Sequence, residues 1–285
     1  MNPYQRRKII NSLMLGLCSA CVAIVVVPLL LIIGYLVYMG VSSINLDFFT
    51  QLPKPVGEAG GGMGNAIVGS LILLGIASLF GVGIGVMAGI YLAEFGDNKF
   101  GFIVRFVSET LNSTPSIVIG IFAYTVIVVP MRHFSALAGG FALGIIMVPI
   151  IARTTEDMIR LVPTSLREAS LALGVNKWRT IFRVVLRTAS PGILTGIMLA
   201  LARVAGETAP LLLTALGSRF WSVSPNEPIS SLPVQIFEYA KSPYADWQRQ
   251  AWAGALVLIG IVVMIGLAAR LLAAKSSLVR GARRR

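Results

Sequence analysis

The sequence predicts an all-α polytopic membrane protein with six transmembrane helices. Hydrophobic residues make up 56% of its 285 positions and charged residues only 13%, whereas a soluble chain carries about 25% charged residues. Mean hydropathy is +0.82, and several stretches without charge are long enough to cross a bilayer, which takes about 20 helical residues. These observations exclude the soluble classes of protein.

Six apolar segments define the predicted spans. Their approximate limits are residues 13–39, 66–92, 110–131, 134–152, 190–217 and 251–269. The first segment resembles a signal peptide because a basic run, Arg6 to Lys8, precedes it. However, no charge lies between Lys8 and Asp47, and the apolar region of a signal peptide is only about 7–15 residues long. The first segment is therefore predicted to be a retained membrane helix.

The distribution of basic residues predicts the orientation of the helices. If the N-terminus is cytoplasmic, the inside segments hold 18 Lys and Arg residues and the outside segments hold five. Because Lys and Arg accumulate in cytoplasmic loops, both termini are expected on the cytoplasmic side. The net charge of +12 is thus interpreted as a signal of membrane orientation rather than of nucleic-acid binding.

Two longer loops connect the spans. Residues 153–189 form a predicted cytoplasmic loop and residues 218–250 a predicted external loop. Neither is long enough for an independent domain, which typically exceeds 50 residues, so residues 1–285 are predicted to form a single transmembrane domain. Within the second span, Gly81, Gly85 and Gly89 share one helix face, which is typical of close helix packing in lipid.

Residues that carry metal, redox or catalytic chemistry are sparse. Cys18 and Cys21 form a C-x-x-C pair, which in a soluble protein suggests redox or zinc chemistry, but here they lie in an apolar run and are predicted to be small buried helix residues. The single histidine is His133, so no metal site is expected. No Gly-x-x-x-x-Gly-Lys-Ser/Thr loop is present to hold nucleotide phosphates. The chain is therefore not expected to be an enzyme or to bind its own cofactor.

A charged pair interrupts the fifth predicted span. Arg203 and Glu207 are four residues apart and are expected to lie one above the other on a helix. A charge near mid-bilayer costs at least about 2.5–3.5 kcal/mol, so such residues usually face a bundle interior or a wet cavity. One interpretation is an intrahelical salt bridge that fixes the helix against its neighbours. The other is an anion site, in which Arg203 contacts the cargo and Glu207 orients or releases the arginine.

Two further features favour an anion pathway at this position. Arginine suits an oxyanion because its planar fork donates two parallel hydrogen bonds. Pro210 follows three residues after Glu207 and lacks a backbone donor, which predicts a kink that frees nearby carbonyls. Arg203, Glu207 and Pro210 are therefore the candidate substrate pathway or gate.

The cytoplasmic loop contains a short predicted helix. Thr164 or Ser165 can cap its start, and Glu168 would complete a capping box with Ser165. Gly174 is placed to end the helix in a left-handed conformation. A surface loop with ordinary caps explains these features, but Glu168-Ala169-Ser170-x-x-x-Gly174 also resembles the E-A-A-x-x-x-G signature of ABC importer permeases. In that family the loop is a coupling helix that docks on an ATPase subunit, which implies this role for Glu168, Ala169, Ser170 and Gly174.

Longer runs resemble the PstA family of phosphate importer permeases. These runs are Leu111-Asn-Ser-Thr-Pro115-Ser-Ile-Val-Ile-Gly120, Ala200-Leu-Ala-Arg203-Val-Ala-Gly206-Glu207-Thr208-Ala-Pro210, and Leu232-Pro-Val-Gln-Ile-Phe-Glu-Tyr continuing to Trp252-Ala-Gly-Ala-Leu-Val-Leu. The resemblance implies a type I ABC importer permease fold, a bacterial inner membrane and a phosphate cargo. It also implies a paralogous permease (PstC-like), an ATPase dimer (PstB-like) that binds ATP and Mg, and a periplasmic phosphate-binding protein (PstS-like).

Two functions remain open at this point. The first is an importer permease that forms half of a translocation pathway and couples ATPase motion to alternating access. The alternative is a stand-alone anion channel or secondary transporter that uses the same Arg203 and Glu207. Inverted repeats or paired broken helices would favour the alternative, but the sequence shows no second copy of the Arg/Glu motif.

Overall fold

In the computed structural model, α-helices make up most of the described residues. The structure describes residues 3–55, 58 and 60–282, with residues 272–282 described by their backbone alone. The helices are α1 (Pro3–Val41), α2 (Leu46–Thr50), α3 (Gly64–Phe95), α4 (Lys99–Ser113), α5 (Ser116–Ala123), α6 (Val129–Met131), α7 (Ala136–Arg160), α8 (Thr164–Ala172), α9 (Lys177–Thr180), α10 (Leu186–Ala205), α11 (Ala209–Thr214), α12 (Leu232–Ala240) and α13 (Ala245–Ala282). Two π-helical turns, Tyr124–Val128 and Ile181–Val185, join α5 to α6 and α9 to α10. Three basic residues counted on the inside of the membrane, Arg283 to Arg285, lie outside the described residues.

Five helical stretches among the described residues are long and apolar enough to cross a membrane. They are α1, α3, α7, the stretch Lys177–Ala205 and the stretch Ala245–Leu271. A sixth crossing forms if α4 and the stretch Ser116–Met131 are taken together, although they are bent by 107° to each other. The all-α polytopic class predicted from the sequence is therefore confirmed.

The third predicted span is the second arm of this bent pair. Its first arm begins at Lys99, about ten residues before the predicted start at residue 110. The bend falls between Ser113 and Ser116, where Pro115 precedes α5. Proline has no backbone donor and restricts the residue before it to extended conformations, so a helix ends most easily at this position.

α3 and α7 pack closely along a stripe of small residues. Gly81, Gly85 and Gly89 all face α7: a Cβ atom on Gly85 would lie 2.8 Å from the Cβ of Ile151, and one on Gly89 would lie 2.6 Å from the carbonyl oxygen of Ala152. These distances are shorter than van der Waals contact, so the two backbones approach as closely as only glycine permits. The predicted packing face is confirmed, and it holds α7 firmly against α3.

The first helix stands apart from the bundle over most of its length. Only Leu36 and Gly40 are buried among the residues of α1, and they lie where its C-terminal part meets α13 near Trp252. Cys18 and Cys21 are exposed. The prediction that these cysteines are buried is wrong, because no other helix among the described residues covers the middle of α1.

The loop predicted to be cytoplasmic is shorter than expected because both flanking helices extend into it. α7 continues to Arg160, and the helical stretch that leads into α10 begins at Lys177 and passes through Pro191. Only α8 and its two connections lie between them. The predicted loop of residues 153–189 is thus largely helical.

The start of α8 differs from the sequence prediction, whereas its end agrees. Pro163 occupies the N-cap and no side chain caps the helix; Ser165 lies inside the first turn, so the predicted capping box is wrong. At the other end Gly174 has φ 74°, and its amide donates to Leu171 O at 2.9 Å while Val175 N donates to Ser170 O at 3.3 Å. This is the Schellman arrangement, and the left-handed helix end predicted at Gly174 is confirmed.

Candidate functional site

The charged pair lies at a helix end rather than within a continuous helix. α10 ends at Ala205, and residues 206–208 form a break before α11, so the predicted fifth span of residues 190–217 is interrupted. Among the ion pairs of the described residues, none joins Arg203 to Glu207. The expected stacking of the two side chains on one helix face is wrong, because the backbone of Glu207 has already left the helix.

Pro210 begins the second arm of this interrupted span. It is the second residue of α11, where its missing N–H removes no intrahelical hydrogen bond. Pro210 is buried and packs against α5, since a Cβ atom on Gly120 would lie 2.7 Å from the Cα of Pro210. The predicted kink is therefore a complete break of the helix, and it comes before the proline rather than at it.

Arg203 lies in an open groove between α4, α7 and α10. The groove has a volume of about 360 Å³ and is lined by Asn112, Pro149, Ile150, Arg153, Thr154, Leu199 and Arg203. The Nη1 of Arg203 donates to the Oδ1 of Asn112 at 3.3 Å. Both side chains are exposed, so the groove is accessible from one side of the chain.

Arg153 brings a second positive charge to the groove. Its Nε lies 3.2 Å from the Oδ2 of Asp157, and its Nη1 lies 3.9 Å from the Oε1 of Glu109. The Arg153 side chain is 58% exposed, and ion pairs exposed to this degree contribute at most about 1 kcal/mol. Arg153 can therefore exchange these carboxylates for an incoming anion at a small cost in free energy.

A smaller pocket of about 100 Å³ adjoins the groove and shares Asn112, Pro149 and Arg153 with it. Glu156, only 3% exposed, lines this pocket. Its Oε1 accepts from the Nε of Arg105 and the Nη2 of Arg160, each at 2.9 Å. Its Oε2 is buried and has no hydrogen-bond partner among the described residues, so this carboxylate keeps one acceptor unused.

Arg105 ties the end of α3 to α7. Its Nη2 donates to Leu92 O at 2.9 Å and its Nη1 to Gly96 O at 3.0 Å. Such carbonyls at a helix C-terminus have no intrahelical partner, so Arg105 completes the end of α3 while its Nε binds Glu156. α3, α4 and α7 therefore share one polar cluster next to the groove.

The predicted coupling residues lie on α8 and its final turn. Glu168 and Ala169 are exposed, whereas Ser170 is buried. The Oγ of Ser170 lies 2.9 Å from the Oγ1 of Thr180, which joins α8 to the helical stretch that continues into α10. The exposed side of α8 therefore carries Glu168 and Ala169, and Ser170 faces the protein.

A single arginine fastens α8 to two membrane helices. Arg167 forms an ion pair with Glu94 near the end of α3, and its Nη2 donates to Ile159 O of α7 at 3.0 Å. The side chain of Glu94 is 5% exposed and that of Arg167 is 23% exposed. These contacts connect α8 to α3 and α7, and α7 carries Arg153 in the groove.

The groove is lined by hydrogen-bond donors and positive charge. No group of three or more His, Cys, Asp or Glu side chains within the described ranges is arranged to hold a metal. The two arginines and the amide of Asn112 instead supply donors and positive charge, which suit a multiply charged oxyanion.

The sequence matches the family described as "Binding-protein-dependent transport system inner membrane component" over residues 81–278. The chain belongs to this family of membrane permeases. The permease is 46% identical over 273 residues to "Phosphate transport system permease protein PstA" of Yersinia pestis, an alignment that covers 95% of this chain and 92% of that protein. It is 36% identical over 260 residues to "Probable phosphate transport system permease protein PstA" of Methanocaldococcus jannaschii, covering 91% and 92%.

The fold of the permease also has a counterpart among solved structures. An inward-facing structure of the MetNI methionine ABC transporter superposes with a TM-score of 0.62 at 21% sequence identity, covering 74% of this chain and 95% of the matched chain. At this identity the likeness concerns the fold alone. It confirms the predicted type I ABC importer permease fold.

Two site residues of the permease were not identified from the sequence. Asn112 lies within the predicted third span and Arg153 is the first residue of the predicted cytoplasmic loop. The available signal was the presence of a polar side chain at the border of an apolar segment. That signal does not indicate which residues share a cavity, because this depends on how α4, α7 and α10 pack.

Proposed function

We propose that this permease is the membrane subunit of an ATP-driven phosphate importer in a bacterial inner membrane. Relatives that are 46% and 36% identical over more than nine-tenths of the chain carry phosphate transport in their names. Similarity over nearly the whole length supports a shared cargo and a shared assembly. The proposed cargo is inorganic phosphate.

The observation that carries the proposal is the groove with two arginines. Arg203 and Arg153 line it together with Asn112, and an oxyanion there would accept hydrogen bonds from both guanidinium groups. The exposed carboxylates of Glu109 and Asp157 pair with Arg153 when the groove holds no anion. Their competition would keep binding weak, as release of the cargo requires.

Alternating access follows from the elements that carry these residues. Arg153 lies on α7, and Arg203 lies at the end of α10 beside the break at residues 206–208. Gly192 and Gly196 pack α10 closely against α7, so the proposed movement is confined to the Arg203 end of α10, where the break would let it swing away from Arg153 and open one side of the groove. In this proposal Glu207 and Pro210 belong to the gate at the break, and Asn112 rather than Glu207 orients Arg203.

The groove requires a second wall, because Arg203 and Asn112 are exposed in this chain. A paralogous permease (PstC-like) is proposed to close it. Exclusion of water by that partner would strengthen the attraction between the arginines and the anion, since electrostatic interactions grow as the local dielectric falls. A periplasmic phosphate-binding protein (PstS-like) is proposed to deliver the cargo to the external loop, residues 218–250.

The cytoplasmic side fits a protein partner. Leu171, Leu173 and Trp178 are 48%, 84% and 65% exposed; they lie on α8, on the connection to α9 and on α9, and Glu168 on α8 is also exposed. Exposed apolar groups clustered in this way mark an interaction surface. The proposed partner is an ATPase dimer (PstB-like), which would bind the ATP and Mg, and Glu168, Ala169, Ser170 and Gly174 would transmit its motion.

The test is phosphate uptake by the assembled importer in vesicles, with and without ATP. We expect Arg203→Ala to lower the uptake rate by about 10- to 100-fold, because hydrogen bonds to charged groups contribute roughly 1.5–3 kcal/mol, while insertion and assembly stay unchanged. Arg249→Ala is the matched control, since Arg249 is 62% exposed and pairs with Asp246 in the first turn of α13. Wild-type uptake by Arg203→Ala would contradict the anion-site assignment.

The same assay addresses the second candidate function, a stand-alone anion channel or secondary transporter. Uptake that continues without ATP and without an ATPase subunit would favour this alternative. The broken α10–α11 segment is one feature that such transporters share. The alternative lacks a role for the exposed apolar surface of α8.

A further inference from the structure

A separate polar pocket lies at the end of α3 opposite to α8. It has a volume of about 200 Å³, and the side chains on which its chemistry depends are those of Lys54, Arg219, Gln235, Glu238, Tyr239 and Trp247. Two residues near the start of α3 fix its position: Asn65 Nδ2 donates to Ser218 O, and Leu232 N donates to Ser70 Oγ, each at 2.8 Å. The pocket therefore belongs to the external loop region and is separate from the groove of Arg203.

The charge of this pocket favours an anion. Lys54 and Arg219 provide two positive charges and Glu238 one negative charge. Arg219 is exposed and has no hydrogen bond or ion pair with another described residue, although its charge acts on Tyr239. Burial raises the pKa of Tyr239 above its ordinary value of 10.0, so near neutral pH the phenol keeps its proton and remains a hydrogen-bond donor.

The walls of the pocket are held in place before any ligand arrives. The rings of Tyr239 and Trp247 stack with centroids 4.5 Å apart, and Ser230 Oγ donates to the Oε1 of the buried Gln235 at 3.2 Å. Leu216, which also lines the pocket, has φ 61°, a left-handed conformation that costs a branched side chain energy. Because these side chains are already held in place, the pocket is preorganised, and less conformational entropy is lost when a ligand binds.

We propose that this pocket binds inorganic phosphate and receives it at the external end of the permease before it reaches the groove. Arg219 and Lys54 would neutralise the anion, and the Tyr239 hydroxyl would donate to one of its oxygens. Glu238 would accept a hydrogen bond from the P–OH group that phosphate retains near neutral pH. Sulfate has no such proton, so the Glu238 carboxylate would repel it. This inference rests on the proposed function.

Trp247 allows binding to be measured without transport. The chain has four tryptophans, and Trp178→Phe, Trp221→Phe and Trp252→Phe would leave Trp247 as the only one. The full-length chain in lipid-free detergent would be titrated with inorganic phosphate and, in parallel, with sulfate and chloride at equal ionic strength. We expect a saturable change in Trp247 fluorescence with phosphate and a much weaker one with sulfate.

Variants in the same background test the assignment of residues. Arg219→Gln should raise the midpoint phosphate concentration about tenfold or more, because it removes a charge-assisted hydrogen bond, whereas Arg249→Gln should not move it. Glu238→Gln should reduce the preference for phosphate over sulfate. If Arg219→Gln does not fold, the Glu238→Gln variant still tests whether this pocket binds phosphate. The proposal that this pocket binds phosphate would be refuted by an unchanged midpoint in Arg219→Gln. It would also be refuted if the folded parent variant, with Trp247 as its only tryptophan, showed no saturable change in fluorescence.

Three further outcomes separate this inference from related ideas. A response that appears only in vesicles containing phosphatidylglycerol would assign the pocket to lipid headgroups and overturn the proposal for free phosphate. If ATP-dependent phosphate uptake is measured but Trp247 does not respond, the pocket proposal fails while the proposed function stands. If no phosphate uptake occurs in the assembled importer, the proposed function itself fails.

Discussion

The ion pair between Arg167 and Glu94 gives a sharp prediction about how α8 is connected to the membrane helices. Arg167→Ala removes the only ion-pair partner of Glu94 in the described part of the chain and also the hydrogen bond to Ile159 O. The protein would still contain α8 and its exposed surface, but the link from α8 to α3 and α7 would be lost. We therefore expect both lower stability and weaker coupling.

The expected size of the effect follows from burial. The side chain of Glu94 is only 5% exposed and that of Arg167 is 23% exposed, so removal of one partner leaves a carboxylate buried without compensation. Breaking a buried pair in this way costs about 3–5 kcal/mol. Removing both charges with Arg167→Gln and Glu94→Gln together should cost less than the sum of the single changes, because neither charge is then left alone.

A double-mutant cycle would measure this interaction by unfolding the purified permease in mixed detergent micelles. The exposed pair of Arg249 and Asp246, at 62% and 58% exposure, is the matched control and should couple by less than about 1 kcal/mol. In the assembled importer, Arg167→Ala should also increase the ATP hydrolysed per phosphate transported. A coupling energy below about 0.5 kcal/mol together with an unchanged ratio of ATP to phosphate would refute the reasoning.

Three other predictions follow from local features. Gly85→Ala should destabilise the permease by about 1–3 kcal/mol through overpacking, because the new Cβ would lie 2.8 Å from the Ile151 Cβ. Gly83→Ala is the control: its new Cβ would have nothing within 4 Å, so it should be neutral or stabilising in the same unfolding assay. Glu168→Lys should weaken co-purification with the ATPase subunit without lowering the unfolding midpoint, and unaltered binding and transport would contradict its docking role. Because the folded state raises the pKa of Tyr239 above 10.0, the stabilising contribution of its proton should be complete below pH 10 and be lost as the pH rises through the raised value. Tyr239→Phe should remove this pH dependence, and tyrosinate absorbance would identify the titrating group.

Local signals predicted the features that depend on neighbouring residues alone. Composition and hydropathy were enough for the polytopic α-helical class, because an apolar run in a bilayer satisfies its backbone groups only as a helix. The four-residue spacing of Gly81, Gly85 and Gly89 identified a packing face, because residues four apart lie on the same side of a helix. Gly174 was predicted to be left-handed because glycine tolerates positive φ, and the structure confirms it.

Packing decided the features that join distant parts of the chain. Periodicity placed Arg203 and Glu207 on one helix face, but the helix ends at Ala205, where the buried contact of Pro210 with Gly120 favours a new helical arm. Arg203 instead bonds to Asn112, which is 91 residues away in the sequence. No local pattern encodes such a pair, because it exists only once α4 and α10 are brought together.

The anion site illustrates this division most clearly. An arginine in a membrane segment is costly wherever it lies, so its presence alone indicated a polar partner or a cavity. The second arginine, Arg153, lies on a different helix and enters the same groove because Gly196 of α10 packs closely against Thr154 of α7, the residue next to Arg153. Residue chemistry therefore predicted an anion as the cargo, and the tertiary contacts of α4, α7 and α10 determined which side chains line the proposed anion site.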